Sequence, residues 1–420
     1  LSAKTVTVFV VGFGMNFVTF PDGFLFGASI SNYQHFGGLV CDLPLIDASK
    51  HSVFYEVDFK ILRELGLNAF RTGVDWARIE PEEGKIDQNA IRFYHEYLSR
   101  LKETGVTTII DLYHIGNPRW IHEQGGWTSK EIVEKFLRYV ELAATEYDQY
   151  IDYYQVLNEP WAAAMISSRP SQEGDLAKQI DASLNSMNEA IRKSYDIIHE
   201  KNSQAKVGVS NPLGPSAILV GPEMATATEQ TNEDSMKTLM KNIEDWMYGG
   251  IEVQEGKFDY IGVNYYGLSV MTGLGQFGTM IVYPDGLRDI CRNLSKKYSK
   301  PILVTENGLP NRDDDQKTAF LLRHLKSLHD AITHDNADII GYCWWSFLPG
   351  WEGFYGRVFN LPIWQPFFGL VDVDLIGNYE RKPTQTALDY GEIAKNRGFS
   401  TRLYERSLAQ RSSIRYEDWL

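Results

Sequence analysis

The feature of this chain that most restricts its fold is an alternation of strand-like and helical runs along most of its length. Short runs rich in β-branched and aromatic residues, bounded by turn residues, occur eight times, and apolar residues at helical spacing lie between most of them. This order favours an α/β fold, and eight repeats favour a single (β/α)8 TIM barrel with elaborated βα loops over several domains. The predicted strands cover Gly23–Ser29, Leu67–Asp75, Thr107–His114, Tyr153–Glu159, Lys206–Asn211, Phe258–Gly267, Pro301–Gly308 and Ile339–Phe347. The predicted helices cover Val53–Leu65, Ala90–Glu103, Glu131–Tyr147, Leu176–Glu200, Leu287–Tyr298, Gln316–His334 and Thr384–Arg397, the third of them opened by a capping box, Thr128-x-x-Glu131.

A chain of 420 residues has room for two or three domains, but a single barrel with insertions also reaches this length. We assign residues 15–397 to the barrel and the arginine-rich residues 398–420 to a C-terminal extension. Residues 1–14 are predicted to be a non-native or flexible N-terminal segment, with Met15 as the natural start. A remnant of a signal peptide is the alternative, because Val6 to Val18 is apolar but too short to span a bilayer.

Composition restricts the partners. The formal net charge of −14 argues against a nucleic-acid partner, because phosphate contacts require basic side chains. Cys41, Cys291 and Cys343 are too scattered for a disulfide framework and lack metal-ligand spacing, which predicts reduced thiols and a cytoplasmic rather than a secreted protein. No membrane partner is predicted. The 10 tryptophans and 23 tyrosines fill a large core or line a sugar-binding cleft, since aromatic rings stack on the apolar faces of pyranoses.

Two of the predicted strands deliver a carboxylic acid at their C-terminal end. The run Tyr154–Leu157 stops at Asn158-Glu159-Pro160, where Pro160 cannot continue a central strand. The run from Pro301 delivers Glu306 in the same way. A glycosidase needs such a pair, because one acid protonates the leaving oxygen and the other attacks, or activates water, at the anomeric carbon.

Further polar and aromatic residues lie near the same ends of the predicted strands, where barrel enzymes build their active sites. Each of them alone is weak support for a site, and their coincidence on one rim is what favours it. The candidate site residues are Gln34, Arg71, His114, Asn158, Glu159, Asn264, Tyr266, Glu306 and Trp345.

The order of these motifs resembles that of glycoside hydrolase family 1, the retaining β-glycosidases. The resemblance runs from about Phe20 to Ile393. The motifs that carry it are Phe20-Pro21-x-x-Phe24-Leu25-Phe26-Gly27-Ala28-Ser29 with Tyr33-Gln34, Phe70-Arg71, Asp75-Trp76-Ala77-Arg78-Ile79-x-Pro81, Leu112-Tyr113-His114, Gly125-Gly126-Trp127, Asn158-Glu159-Pro160, Ile261-Gly262-Val263-Asn264-Tyr265-Tyr266, Thr305-Glu306-Asn307-Gly308, Trp345-Ser346 and Phe368-Gly369-Leu370-Val371.

The resemblance implies that Glu159 is the acid/base and Glu306 the nucleophile. Arg71, Asn264 and Tyr266 are expected to support this pair, Arg71 by favouring the ionised form of Glu306 and Tyr266 by donating a hydrogen bond to it. Two carboxyls about 5–5.5 Å apart, the spacing of retaining enzymes, disfavour double ionisation, so one of them is expected to stay protonated near neutral pH. No metal and no organic cofactor is expected.

The resemblance also implies the contacts to the sugar. Gln34, His114, Asn158 and Glu352 are expected to hydrogen-bond the sugar, with Asn158 at its 2-hydroxyl. Trp345 is expected to be the stacking platform beneath the ring, and the alternative is a core tryptophan beside Trp344. The two side chains must point to opposite faces of their strand.

The chain departs from the family pattern around the sugar rather than at the catalytic pair. Ile115-Gly116-Asn117 stands where the family has an aromatic wall, and Glu352 lacks the tryptophan that normally follows it. An extra segment, Arg357–Gln365, follows, and Gly38–Lys50 is short, which suggests an open aglycone side. No phosphate-binding Ser and Lys pair follows Glu352, so unphosphorylated sugars are favoured.

The first hypothesis is therefore a retaining exo-β-glycosidase of the β-glucosidase type acting on small β-glycosides. A non-catalytic glycan-binding relative and an endo-acting β-glycanase with the same carboxylate pair remain as alternatives. The sequence leaves a homo-oligomer open.

Overall fold

The computed structural model describes residues 17–43, 49–167, 176–213, 216–218, 251–254, 256–272, 276–351, 367–408 and 413–415. Several of the predictions above fall outside these residues. They concern the segment 1–14, Glu352, the extra segment 357–365 and part of the C-terminal extension.

Eight parallel strands close into a barrel, and each of the eight predicted strands is present. The barrel closes where Ile339–Trp345 pairs with Leu25–Ser29, in a register that places Trp345 opposite Ser29. The prediction of a single (β/α)8 barrel is confirmed, although most strands end within a few residues of the predicted bounds rather than at them. The barrel strands are β1 Leu25–Ser29, β2 Ala69–Gly73, β3 Thr107–Asp111, β4 Tyr153–Asn158, β5 Val207–Pro212, β6 Tyr260–Asn264, β7 Ile302–Asn307 and β8 Ile339–Trp345.

Helices surround the barrel and pack an apolar face onto the outer side of the strands. The long helices are His51–Leu65, Gln88–Glu103, Ile132–Tyr147, Leu176–Lys201, Pro284–Tyr298, Asp314–Asp335 and Gln385–Asn396. Shorter helices are Asn32–His35, Trp76–Ile79, Arg119–Glu123, Pro160–Ser167 and Thr401–Ser407, with 3-10 turns at Gly126–Thr128 and Asp148–Tyr150.

The predicted capping box is wrong. The helix begins at Ile132, and the hydroxyl of Thr128 donates to the carbonyl of Gly125 inside the preceding turn. The glycine pair before Thr128 allows that turn, because Gly125 and Gly126 both adopt positive φ.

Smaller sheets join segments outside the barrel. Phe17–Thr19 pairs antiparallel with Gly398–Ser400, which places the start of the described chain beside the segment that follows the last long helix. Val371–Val373 pairs with Arg381–Pro383. A four-stranded sheet lies outside the predicted elements, and its strands are Ser216–Ile218, Leu268–Thr272, Gln276–Ile281 and Ser413–Arg415.

The buried core has two layers, and polar residues of the barrel interior begin above the inner one. The larger layer lies between strands and helices. Alternate residues of the strands form a separate apolar cluster, Leu25, Ala69, Ile109, Tyr260, Leu303 and Cys343, that fills the barrel interior. In β2 and β3 the next inward positions toward the C-terminal ends are Arg71 and Asp111, so the interior becomes polar above this cluster. No helix in the described ranges combines the length and apolar composition that a membrane span requires.

Candidate active site

The C-terminal ends of six barrel strands bring most of the predicted site residues into one network of contacts. The strands end at different points along the chain but at the same rim, because all eight run parallel. The residues of this network are Arg71, Asp111, His114, Asn158, Glu159, Asn264, Tyr266, Glu306 and Trp345.

Glu306 is buried and held by donors on both carboxylate oxygens. The guanidinium Nη1 of Arg71 donates to Oε1, and the hydroxyl of Tyr266 donates to Oε2 over 2.6 Å. Burial alone would lower the pKa of Arg71, but the carboxylates of Asp111 and Glu306 raise it above its ordinary value. A permanent cation and a phenol therefore hold the Glu306 carboxylate in a defined orientation, as a nucleophile requires.

Glu159 lies at the point where β4 turns into the helix Pro160–Ser167. Its φ of 44° is in the left-handed region, which a residue with a side chain seldom adopts. Its amide donates to the carbonyl of Ser210 over 2.9 Å, and its own carbonyl accepts from the amide of Ala163. The backbone is therefore held on both sides, so the half-buried carboxylate keeps a defined position at the rim.

Two amide side chains connect Glu159 with Glu306. Asn264 accepts from the Thr305 hydroxyl at Oδ1, over 2.7 Å, so its Nδ2 must be the donor on the other side. That nitrogen donates to Glu159 Oε1 over 2.8 Å and to Asn158 Oδ1 over 3.1 Å. Asn158 Oδ1 also accepts from Arg71 over 2.6 Å, and Arg71 contacts Glu306. The two acids therefore share one chain of hydrogen bonds.

His114 and Trp345 form the aromatic side of the site. Their rings stack with centroids 5.7 Å apart and an interplanar angle of 14°. Burial lowers the pKa of His114 to about 3, and the neighbouring Arg71 acts in the same direction, so the imidazole is neutral. Trp344, in contrast, packs edge-on to Phe320 and donates its indole N–H to the Phe368 carbonyl. The expected opposite facing of the two tryptophans is present, with Trp345 on the side of the site.

Gln34 lies apart from this network of contacts, on the short helix after β1. Its Oε1 accepts from the Ser31 hydroxyl over 2.5 Å and its Nε2 donates to the Trp351 carbonyl over 3.0 Å. Because the next residue, Glu352, lies outside the described residues, its predicted contact with the sugar stays a prediction.

Ile115, which stands where the family has an aromatic wall, is half-buried and packs against an apolar cluster that contains Tyr33 and Cys41.

Asp111 is the residue of this site that the sequence reasoning missed. It is buried at the last position of β3, and its carboxylate contacts Arg71 at Nη2 over 2.8 Å and at Nε over 3.1 Å. It also lies 3.0 Å from Nδ1 of His114. The signal that could have found it is the one used for the two glutamates, an acid that ends a run of apolar strand residues.

The described residues contain no group of three or more His, Cys, Asp or Glu side chains that could hold a metal ion. The arrangement can nevertheless perform acid–base and nucleophilic chemistry. It offers one buried carboxylate held by a cation and a phenol, a second carboxyl with an amide partner, and a neutral imidazole beside an indole ring.

Comparisons with known proteins agree with the barrel fold. The sequence profile of glycosyl hydrolase family 1 matches residues 47–233 and 275–399. A chloroplastic beta-glucosidase-like protein of Oryza sativa subsp. japonica is 27% identical over 78% of this chain and 53% of its own length. A chloroplastic galactolipid galactosyltransferase of Arabidopsis thaliana is 27% identical over 84% of this chain and 58% of its own length. The chain thus spans little more than half of these two plant relatives. Among solved structures, a beta-glycosidase from Pyrococcus horikoshii superposes with a TM-score of 0.78 at 25% identity, over 94% of this chain and 99% of that one.

Proposed function

The chain belongs to glycosyl hydrolase family 1, and we propose that it is a retaining exo-β-glycosidase of the β-glucosidase type that removes terminal β-D-glycosyl residues. Membership of the family supports a glycoside hydrolase. The observation that carries the finer proposal is the single hydrogen-bond network that joins Glu159 and Glu306 at the rim of the barrel.

In the proposed reaction Glu306 attacks the anomeric carbon while Glu159 gives its proton to the leaving oxygen. The bond between that oxygen and the anomeric carbon breaks, and a glycosyl ester forms on Glu306. Water then attacks the same carbon, its proton passes to Glu159, and Glu306 recovers its charge. The ester removes the negative charge of Glu306, which makes it easier for Glu159 to act as a base.

The test is a pair of substitutions, Glu306→Ala and Glu159→Ala, assayed on an activated aryl β-glycoside. Each should lower kcat by about 1,000-fold or more, since general acid–base and nucleophilic groups contribute on this scale. Azide should restore turnover in Glu159→Ala as the β-glycosyl azide, because it replaces water without needing a base, whereas any azide product of Glu306→Ala should be the inverted α-glycosyl azide. Glu80→Ala is the matched control, since Glu80 is a buried glutamate that bonds to Trp76 and Gly84 instead. Near-normal rates in both variants would refute the proposal.

A second candidate function is glycosyl transfer to a hydroxyl group other than water. It is favoured by the relative from Arabidopsis thaliana, which is named a galactolipid galactosyltransferase. The chemistry is the same until the glycosyl ester has formed, after which a sugar hydroxyl attacks and its proton passes to Glu159. Incubation with a galactosyl donor and an excess of a galactoside acceptor decides between the two. Free monosaccharide as the main product supports hydrolysis, and a disaccharide as the main product supports transfer.

The finer assignments remain proposals. We propose small unphosphorylated β-glycosides as substrates and a reducing, cytoplasmic environment, which the three free, buried cysteines support. An initial-rate survey over aryl β-glycosides of gluco, galacto and fuco configuration identifies the preferred sugar.

A further inference from the structure

One buried cation in the active site faces two carboxylates. Nε and Nη2 of Arg71 contact the carboxylate of Asp111 over 3.1 and 2.8 Å, while Nη1 donates to Glu306. The side chains of Arg71 and Asp111 are 0% and 3% exposed, so water screens neither charge.

The second contact of Asp111 is with His114, whose proton faces it. Because Asn158 Oδ1 accepts from Arg71 and Asn264, its Nδ2 faces His114 Nε2 at 3.1 Å and must be a donor there. The neutral imidazole therefore carries its proton on Nδ1, which lies 3.0 Å from Asp111. Arg71 Nη2, which lies 3.3 Å from the same nitrogen, has acceptors for both of its protons in Asn158 and Asp111.

Arg71 is the counter-ion of Asp111, because the other ionisable groups around this carboxylate are neutral. Burial raises the pKa of Tyr139, Tyr260 and Cys343, so these three groups are neutral. Burial also raises the pKa of Asp111, to about 7, and the contacts with Arg71 oppose this. When the ester forms, Glu306 loses its negative charge and Asp111 becomes the carboxylate that pairs with Arg71. This pairing favours the ionised form of Asp111.

We propose that Asp111 is a positioning residue that neutralises Arg71 while Glu306 carries the glycosyl group. Formation of the ester turns Glu306 into a neutral group, and a buried guanidinium without a carboxylate partner would destabilise that intermediate. Asp111 provides this partner and holds the orientation of Arg71 and His114. The inference rests on the double-displacement mechanism proposed above.

The experiment separates the formation of the ester from its breakdown. A 2-deoxy-2-fluoro-β-glycoside with a good leaving group slows both steps, so the ester on Glu306 accumulates and both rate constants can be measured. The fluoroglycoside should inactivate Asp111→Asn about 10-fold more slowly than the unaltered enzyme, because the ester intermediate of this variant contains an uncompensated cation. The ester of this variant should reactivate at the same rate or faster. A purely structural role would reduce the number of competent sites or slow both steps alike, and either result would overturn the proposal.

A matched control exists elsewhere in the fold. Asp58 accepts from Arg381 at Nε over 3.0 Å and from His51 at Nδ1 over 2.8 Å, so it has the same two kinds of partner and the same burial. Asp58→Asn should lower the Tm without changing either rate constant. If Asp111→Asn does not fold, Asp111→Ser is the second neutral variant. Asp111→Glu keeps the charge and should recover part of the lost inactivation rate.

Failure of this inference is distinguishable from failure of the proposed function. If the fluoroglycoside labels a residue other than Glu306, the proposed function itself is wrong. If it labels Glu306 but Asp111→Asn and Asp111→Ser keep both rate constants, the mechanism holds and the role assigned to Asp111 is wrong.

Discussion

At the scale of single residues, the two donors that hold Glu306 differ in what they contribute. Arg71 supplies a charge that stays in place throughout the reaction, and Tyr266 supplies a neutral O–H aimed at the second carboxylate oxygen over 2.6 Å. A hydrogen bond from a phenol to a carboxylate is strongest while the carboxylate is ionised. Tyr266 is therefore expected to affect the steps in which Glu306 gains or loses its charge more than it affects substrate binding.

Tyr266→Phe should lower kcat/KM by about 10- to 100-fold, because Glu306 loses the donor that orients its second oxygen and a misplaced reacting group costs on this scale. Tyr265→Phe is the matched control, since the Tyr265 hydroxyl donates its proton to the Tyr283 carbonyl rather than to the Glu306 carboxylate. Its cost should be about 1 kcal/mol of stability at unchanged kcat/KM. Steady-state kinetics on an aryl β-glycoside checks both, and an equal loss of activity in the two variants would contradict the assignment.

At the scale of elements, the ends of β7 and β8 approach each other more closely than a side chain allows. A Cβ on Gly308, just past β7, would lie 1.8 Å from the Trp345 carbonyl oxygen at the end of β8. Such contact with backbone cannot be relieved by rotating a side chain. The glycine therefore lets two strand ends converge, and these ends carry Glu306 and Trp345.

Gly308→Ala should destabilise the fold by about 1–3 kcal/mol through overpacking. It should also lower kcat by about 100-fold, because a displacement on the order of 1 Å at a strand end misaligns the reacting groups. Gly84→Ala is the control, since Gly84 has a φ of 73° but no atom within 4 Å of its Cβ position. Its cost should be about 1 kcal/mol from backbone strain alone, at full activity. Denaturant unfolding and kcat measured on the same samples distinguish the two, and full activity in Gly308→Ala would show that the strand ends can separate freely.

At the scale of the whole molecule, burial of neutral histidines couples stability to pH. Burial lowers the pKa of His35, His114 and His324 to about 3 in each case. One lies after β1, one in the active site and one in the helix Asp314–Asp335, so the effect belongs to the fold rather than to one site.

The free energy of unfolding should fall as the pH is lowered from about 6.5 toward 3. In this range the unfolded chain takes up protons on the three histidines, whereas the folded chain takes up one on Asp111, whose pKa burial raises to about 7. The unfolded chain still takes up more protons, so acid favours unfolding. Each histidine contributes up to about 1.4 kcal/mol per pH unit. Urea unfolding at a series of pH values measures the slope.

His324→Gln should reduce that slope by about one histidine's share. His334→Gln, at a position on the same helix that is 65% exposed, should leave it unchanged. An identical slope in all three proteins would contradict a contribution from His324.

Patterns local in the chain determined the barrel and most of the rim. Strand and helix periods follow from neighbouring residues, and Pro160 ends its strand wherever that strand lies, so the positions of Glu159 and Glu306 at strand ends were predictable. The placement of Arg71, Asn264 and Tyr266 beside them followed from the motifs of the family.

Which side chains contact or hydrogen-bond one another was decided by tertiary structure alone. Asp111 becomes part of the site because parallel strands place it beside Arg71, and the sequence shows only an acid near a strand end. Thr128 fits a capping box, yet its hydroxyl is satisfied inside a glycine turn. The physical reason is common to both. Sequence period determines which face of an element a residue occupies, whereas competition for a buried hydrogen bond or charge is settled only when distant elements have packed.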